Sequence, residues 1–243
     1  MLYNITLFHI YGYQSMPELM LIGTAHVIDL KSPLERYIRE FNPSAVALEL
    51  DRERWLALSS NRKRSGGPIF VRLLAHLQEY LGETFGSSPG SEMLAAAKIA
   101  RTLGADVNLI DKPILPTLKE AWKTMPWNEF WNLISDSLIS FVGGGSLNLN
   151  QSMMSGDFTK ELDEFSTKYP SIKFQLIDRR DTYMAINLIK LFRRKKYDKI
   201  VAVVGEGHLD GIETRLSPLN PRIVRLRDLL QSQGNSVTFS IEI

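Results

Sequence analysis

Two histidines in this chain stand three positions after a glycine, in Gly23-Thr24-Ala25-His26 and in Gly205-Glu206-Gly207-His208. Each motif follows a short apolar run, Leu19 to Ile22 and Ile200 to Val204, of the kind that forms a strand. Glycine permits a sharp turn and a close backbone approach at such a point, which carries the histidine over the sheet edge rather than into it. Glu49 and Asp51 close a third apolar run, Ala45 to Leu50, with Arg52 and Arg54 just beyond, and Asp111 closes a fourth at Leu109-Ile110. Ligands of open α/β sheets sit outside the carboxyl ends of the strands. Two imidazoles and a carboxylate delivered there by three parallel strands suit a divalent metal, so His26, Glu49 and His208 are the ligand candidates. The competing reading pairs Glu49 with Arg54 or Arg180 and lets each histidine cap a helix or bond a backbone carbonyl. Asp111 suits a helix N-cap before Lys112-Pro113 as well as it suits a site. His9 and His76 lack any such context and read as structural.

Composition narrows the chemistry. There are 243 residues, 29 Lys+Arg against 27 Asp+Glu, a net charge of +2, 44% hydrophobic residues and no cysteine. That apolar fraction supports a folded core and excludes an intrinsically disordered chain. Without cysteine there is no disulfide, no thiolate-bound zinc, no iron–sulfur cluster and no thiol nucleophile. A charge near zero removes the bulk electrostatic case for nucleic acid. Arg62, Lys63 and Arg64 read as a solvated loop, and Arg193 to Lys196 as the cation-favouring end of a helix. The N-terminus lacks the pattern of a secretory signal, and no run of ~18 apolar residues offers a membrane span. The expected location is the cytoplasm.

These residues need a sheet to position them. The runs Thr6 to Tyr11, Leu19 to Ile22, Ala45 to Leu50, Val107 to Ile110, Ile200 to Val204, Ile223 to Leu226 and Val237 to Ile243 read as strands. Helical spacing appears over 32–41, with Ser32-Pro33 as its cap, over 91–103, closed by Gly104, after Pro113, and over 175–196. A strand, a helix and a strand within ~30 residues make a βαβ unit and hence a parallel pair. The fold class is α/β: a single domain over 1–243, with a mixed, mainly parallel sheet flanked by helices. Residues 61–67 and 82–91 read as loops. Residues 120–170, with Trp122, Trp127, Trp131 and the break at Gly143-Gly144-Gly145, read as a helical insertion, either a lid or the contact of a homodimer. The tryptophans are expected in a core.

The chain resembles the TraB family, which groups bacterial pheromone-shutdown proteins with TraB-domain proteins and the Tiki metalloproteases. The resemblance rests on Gly23-Thr24-Ala25-His26, Glu49-Leu50 with Arg54, Pro89-Gly90-Ser91-Glu92-Met93, Asp111-Lys112-Pro113-Ile114, Arg180-Asp181 with Tyr183, and Gly205 to Ile212. It implies a fold similar to erythromycin esterases and haem-binding ChaN proteins. It also implies a catalytic centre of paired Gly-x-x-His motifs with a glutamate. For the Tiki branch it implies peptide hydrolysis with manganese or cobalt, with zinc as a further option. Two positions depart from the family pattern: Arg179 stands where a glutamate is usual, and Lys112 where an arginine is usual, losing bidentate reach. Some prokaryotic members carry a membrane-spanning C-terminal region, and this sequence shows none.

The expected activity is therefore a metal-dependent hydrolase acting on a peptide or protein. Glu92 or Asp181 would move the proton of the attacking water, and Arg54 or Arg180 would steady the developing oxyanion or hold a substrate carboxylate. Glu92, Arg54, Arg180, Asp181 and Asp111 are thus the catalytic candidates. The alternative is a protein that binds a peptide or a cofactor in the same pocket without turnover.

Overall fold

A computed structural model describes residues 17–25, 30–59, 90–132 and 159–237. His26, His9, His76, the first predicted strand, the loop at 61–67 and the glycine break at 143–145 lie outside the described residues, as does nearly all of the loop predicted over 82–91.

Five strands form one sheet: β1 (Glu18–Thr24), β2 (Ala45–Leu48), β3 (Asp106–Leu109), β4 (Lys199–Gly205) and β5 (Arg222–Val224). Their order is β3-β2-β4-β1-β5, and every pairing is parallel. β4, the most apolar run, lies at the centre and is paired on both sides. β1 pairs with it over its full length, from Glu18 opposite Lys199 to Thr24 opposite Gly205.

Parallel strands need crossovers, and helices supply them. α1 (Lys31–Phe41) leads to β2, and α2 (Arg52–Ser59) follows it. α3 (Ser91–Thr102) leads to β3, and α4 (Ile114–Thr124) follows. After α5 (Thr159–Lys168), α6 (Pro170–Lys173) runs through a π-helical turn (Phe174–Asp178) into α7 (Arg179–Arg193) and so to β4. α8 (Glu206–Leu216) links β4 to β5, and α9 (Leu226–Val237) follows.

Alternation along the strands sorts the core into two layers. Met20, Ile22, Val46, Leu48, Val201 and Val203 face α1, α3 and α9. Leu19, Leu21, Ala45, Ala47, Ile200, Ala202 and Val204 face α7 and α8. A sheet buried on both faces requires apolar residues at successive positions, which is why the strand sequences are continuous runs.

Several local expectations change. Ser32 is inside α1; the helix is capped by Leu30, which is buried and accepts from Leu34 N–H at 2.9 Å, so packing rather than a hydroxyl starts this helix. Val237 ends a helix instead of opening a strand. The tryptophans are not core: Trp122, Trp127 and Trp131 are 50%, 76% and 60% exposed, clustered edge-on about Phe130. They sit on α4 and a short helix over 127–132. Among the described residues no helix is long and apolar enough to cross a membrane.

Candidate metal centre at the carboxyl edge of the sheet

β2, β4 and β1 are adjacent, yet their outgoing helices go to opposite faces. α1 and α3 lie on one side, and α8 on the other. That divergence opens a crevice at the carboxyl edge, where α/β proteins hold ligands. Helices that feed a parallel strand run back along the sheet, so α3 and α7 begin at the same edge. Glu92 and the pair Arg180-Asp181 arrive there in their first turns.

Glu49 follows β2 directly. Its N–H donates to Val203 O at 3.1 Å, and its Oε2 accepts from Gly205 N–H at 2.6 Å. Gly205 has an extended backbone (φ −63°, ψ 143°), so the expected sharp glycine turn is absent there. Close approach does occur at Gly23, where a Cβ would meet Glu206 Oε2 at 2.0 Å. Glu206 uses that room to accept from Leu226 N–H at 2.9 Å, pinning α9 to the site edge. Burial pushes its carboxyl above the usual range, partly offset by the Leu226 N–H and by Arg225.

His208 lies in the first turn of α8 and is buried. Its Nδ1 is 2.6 Å from Asp181 Oδ1, and its Nε2 is 3.4 Å from Glu49 Oε1. A carboxylate on Nδ1 fixes the ring and leaves Nε2 directed at Glu49. Burial raises the Asp181 carboxyl above its ordinary value, and the His208 hydrogen bond and charge only partly oppose this.

Arg180 is the buried cation of the cluster. It grips Asp111 with two bonds, Nε to Oδ1 at 3.1 Å and Nη2 to Oδ2 at 2.7 Å. Nη2 also makes a short bond to Glu49 Oε1, and Nη1 donates to Leu176 O, inside the π turn, at 3.1 Å. Burial opposes its charge, but Glu49 and Asp111 more than compensate, so the guanidinium is held charged well above its ordinary range. The expectation that Glu49 pairs with an arginine thus holds for Arg180, alongside its contact with His208. Arg54 touches the same group more loosely, with Nη1 3.4 Å from Asp111 Oδ2 and from Glu49 O.

Asp111 is not a helix N-cap. Pro113 occupies that position of α4, and the Asp111 carboxylate serves Arg180, Arg54 and its neighbour Lys112 N–H. The cap goes to Asp51, which accepts from Glu53 and Arg54 N–H at 2.7 and 2.9 Å and so starts α2. Glu92 is buried in the first turn of α3. The structure therefore joins Glu49, Arg54, Asp111, Arg180, Asp181 and His208 into one network. His26 follows β1, whose Thr24 pairs with Gly205, the first residue of the second glycine–histidine motif.

The donor chemistry fits a cation in part. Two ligand atoms ~2.1 Å from a tetrahedral ion lie roughly 3.4 Å apart, the separation of His208 Nε2 and Glu49 Oε1. Among the described residues, however, no group of three His, Asp or Glu side chains is arranged to hold a metal.

A parallel sheet with divergent crossovers and a buried histidine–carboxylate cluster at its carboxyl edge defines an α/β protein with an edge site. The chain belongs to the TraB/PrgY/gumN family, whose match covers residues 12–222. An uncharacterised protein of Methanocaldococcus jannaschii is 34% identical over 233 residues, covering 88% of this chain and 57% of that protein. TraB domain-containing proteins of Mus musculus and Homo sapiens are 26% and 25% identical, each match covering 81% of this chain and 62% of theirs. The chain thus spans about three-fifths of the length of these relatives.

Proposed function

We propose that this chain is a metal-dependent hydrolase of peptides, its divalent ion held by Glu49, His208 and His26. The observation that carries the reading is the separation of His208 Nε2 and Glu49 Oε1, 3.4 Å, with Asp181 behind the imidazole. With Nδ1 on Asp181, the Nε2 of the ring is left facing the Glu49 carboxylate, at the separation that two ligands of one cation would have. Manganese or cobalt, with zinc next, are the ions the family resemblance favours.

A bound divalent ion would supply Lewis acidity and activate water at neutral pH. The chain's own residues do the rest. Asp181 holds the His208 ring. Arg180 balances the charge of Glu49 and Asp111. Glu92 is the candidate to carry the proton to the leaving amine, and Arg54, the most open cation of the network, faces the developing oxyanion.

A second reading is a binding protein without turnover. It is favoured by Arg180, which already neutralises Glu49, and by the lack of a three-donor group among the described residues.

The test is elemental analysis of protein purified without chelator, beside the His26→Ala/His208→Ala double variant. About one transition metal per chain, lost in the variant, together with cleavage of a peptide library, is the expected result. Metal bound equally by the variant would overturn the ligand assignment, and metal without cleavage would leave the binding protein.

A further inference from the structure

Met125 separates two helical segments that carry one aromatic cluster. α4 ends at Thr124, Met125 is extended (φ −68°, ψ 123°), and the next turn opens with Phe130 N–H donating to Pro126 O at 3.0 Å. In that turn Trp127, Phe130 and Trp131 follow i, i+3, i+4 spacing and share a face. Trp122 reaches the same group from α4. The Phe130 ring lies 5.8, 5.7 and 5.7 Å from Trp122, Trp127 and Trp131, with each pair near edge-on. The arrangement is anchored from behind. Glu129, which the short helix turns inward, is buried and accepts from Ser171 N–H at 3.1 Å and Ser171 Oγ–H at 2.6 Å. Gln175, also buried, donates from Nε2 to Thr124 Oγ1 at 3.3 Å. Both segments are thereby tied to α6 and the π turn, and the rings are presented outward in a set geometry.

At ~250 Å² per indole, the exposed fractions of the three tryptophans leave roughly 450 Å² of largely apolar surface in one place. That is more than half of the ~800 Å² that each partner brings to a standard-size interface. Tryptophan is also enriched among the residues that dominate binding, and rings already fixed in place lose little freedom on association. The charges beside them decide between partners. Lys119, Glu120 and Lys123 are all exposed on α4 next to Trp122. A rim of one sign would repel its own copy and attract an oppositely charged surface, such as an anionic lipid. A rim of both signs suits a surface that must meet itself.

We infer that the face of Trp122, Trp127 and Trp131 is a two-fold interface with a second copy of this chain. In such a contact the same patch serves both partners. The indoles of the two copies form its dry centre, and Lys119, Glu120 and Lys123 its polar rim. Roughly 12 Å of helix separates Trp122 from the start of α4 beside Asp111, so the contact leaves the Glu49–His208 centre open. The inference is independent of the hydrolase reading.

The experiment follows the full chain by sedimentation velocity and intrinsic fluorescence from about 1 to about 100 μM, a range that brackets a micromolar dissociation constant. Three of the chain's 4 tryptophans belong to the cluster, so emission reports on it directly. The wild type is expected to pass from monomer to dimer across that range, its emission moving to shorter wavelength in step. Trp127→Ser and Trp131→Ser should each weaken the dimer about 30-fold, the scale of a dominant interface residue. The urea midpoint of the dilute monomer should not change, because both side chains are exposed. Glu120→Lys keeps every ring and makes the rim wholly positive. It should weaken the dimer at low salt and less so at high salt. A wild type that stays monomeric at the highest concentration would overturn the inference, as would a dimer that both tryptophan variants leave intact. A monomer whose emission shifts only on phosphatidylglycerol vesicles, and more strongly in Glu120→Lys, would overturn it too and make the face a lipid-binding one.

Discussion

Gly211 and Asp181 fit together only because Gly211 has no side chain: a Cβ at position 211 would stand 1.9 Å from Asp181 Oδ2. The glycine sits inside α8, one turn beyond His208, and it lets α8 close on α7 until the aspartate reaches the imidazole. Gly211→Ala should therefore act on the site through packing. The cost of overfilling such a contact is about 1–3 kcal/mol, to be read as a shift in the urea midpoint. The imidazole resonances of His208 should move at the same time. A variant of unchanged midpoint and unchanged His208 spectrum would show that the helices do not need this glycine.

Asp181 itself positions His208. Asp181→Asn keeps the shape but replaces the charged acceptor of Nδ1 with a neutral amide oxygen, a weaker partner. Loss of such a partner typically lowers metal affinity 10–100-fold, roughly. Titration calorimetry with manganese or cobalt should show that drop with little change in thermal midpoint. Equal affinity in the two proteins would remove Asp181 from the centre.

Arg180 is a stronger constraint on folding than on chemistry. It is the buried counter-ion of both Glu49 and Asp111. Removing one partner of a buried charge group costs about 3–5 kcal/mol, because the other charges are left unpaired. Arg180→Met should be destabilised on that scale, and adding Glu49→Gln should recover part of the loss. Coupling of this kind, measured by a double-mutant cycle in urea, separates the network from independent contacts.

Strand content was legible because burial on both faces forces continuous apolar runs, as at Ala45–Leu48 and Ile200–Val204, and because βαβ spacing implies parallel pairing. That Glu49, Asp111 and His208 come to one edge followed from where those runs end, whereas Asp181 was pointed to only by the family resemblance. What was not legible depends on tertiary packing. The contact of Asp181 with His208 joins residues 27 positions apart across two helices. The π turn before Arg179 has no signature in residue type. Asp111 looked like a helix cap because local spacing cannot show that Arg180, 69 residues later, takes its carboxylate. The tryptophans looked like core because bulk and apolarity do not reveal that α4 presents Trp122 outward. Glu206 and Asp51, which hold α9 and α2, were masked by the motifs around them.

Far from the site, Asp106 at the start of edge strand β3 tests the electrostatics in isolation. Its carboxylate accepts from Lys196 Nζ and from Tyr197 Oη–H at 2.9 Å. The Lys196 bond, then the Tyr197 bond, hold its carboxyl below the usual aspartate value, against a small opposing effect of burial. Lys196 is pushed above the usual lysine value by the same contact. A depressed carboxyl binds its proton less tightly in the folded chain than in the unfolded one. Its stabilisation is therefore complete above the unfolded value of about 3.9 and fades as pH falls through the lower folded value. The lysine side is present at neutral pH and is lost only as pH rises through its elevated folded value. Asp106→Asn removes both slopes. The stability gap between wild type and Asp106→Asn, from urea unfolding, should be widest near neutrality and narrow below about pH 4. It should also shrink with added salt, since the pair is exposed and screened. A gap that stays constant with pH and salt would mean that Tyr197 packing, rather than charge, holds the edge of β3.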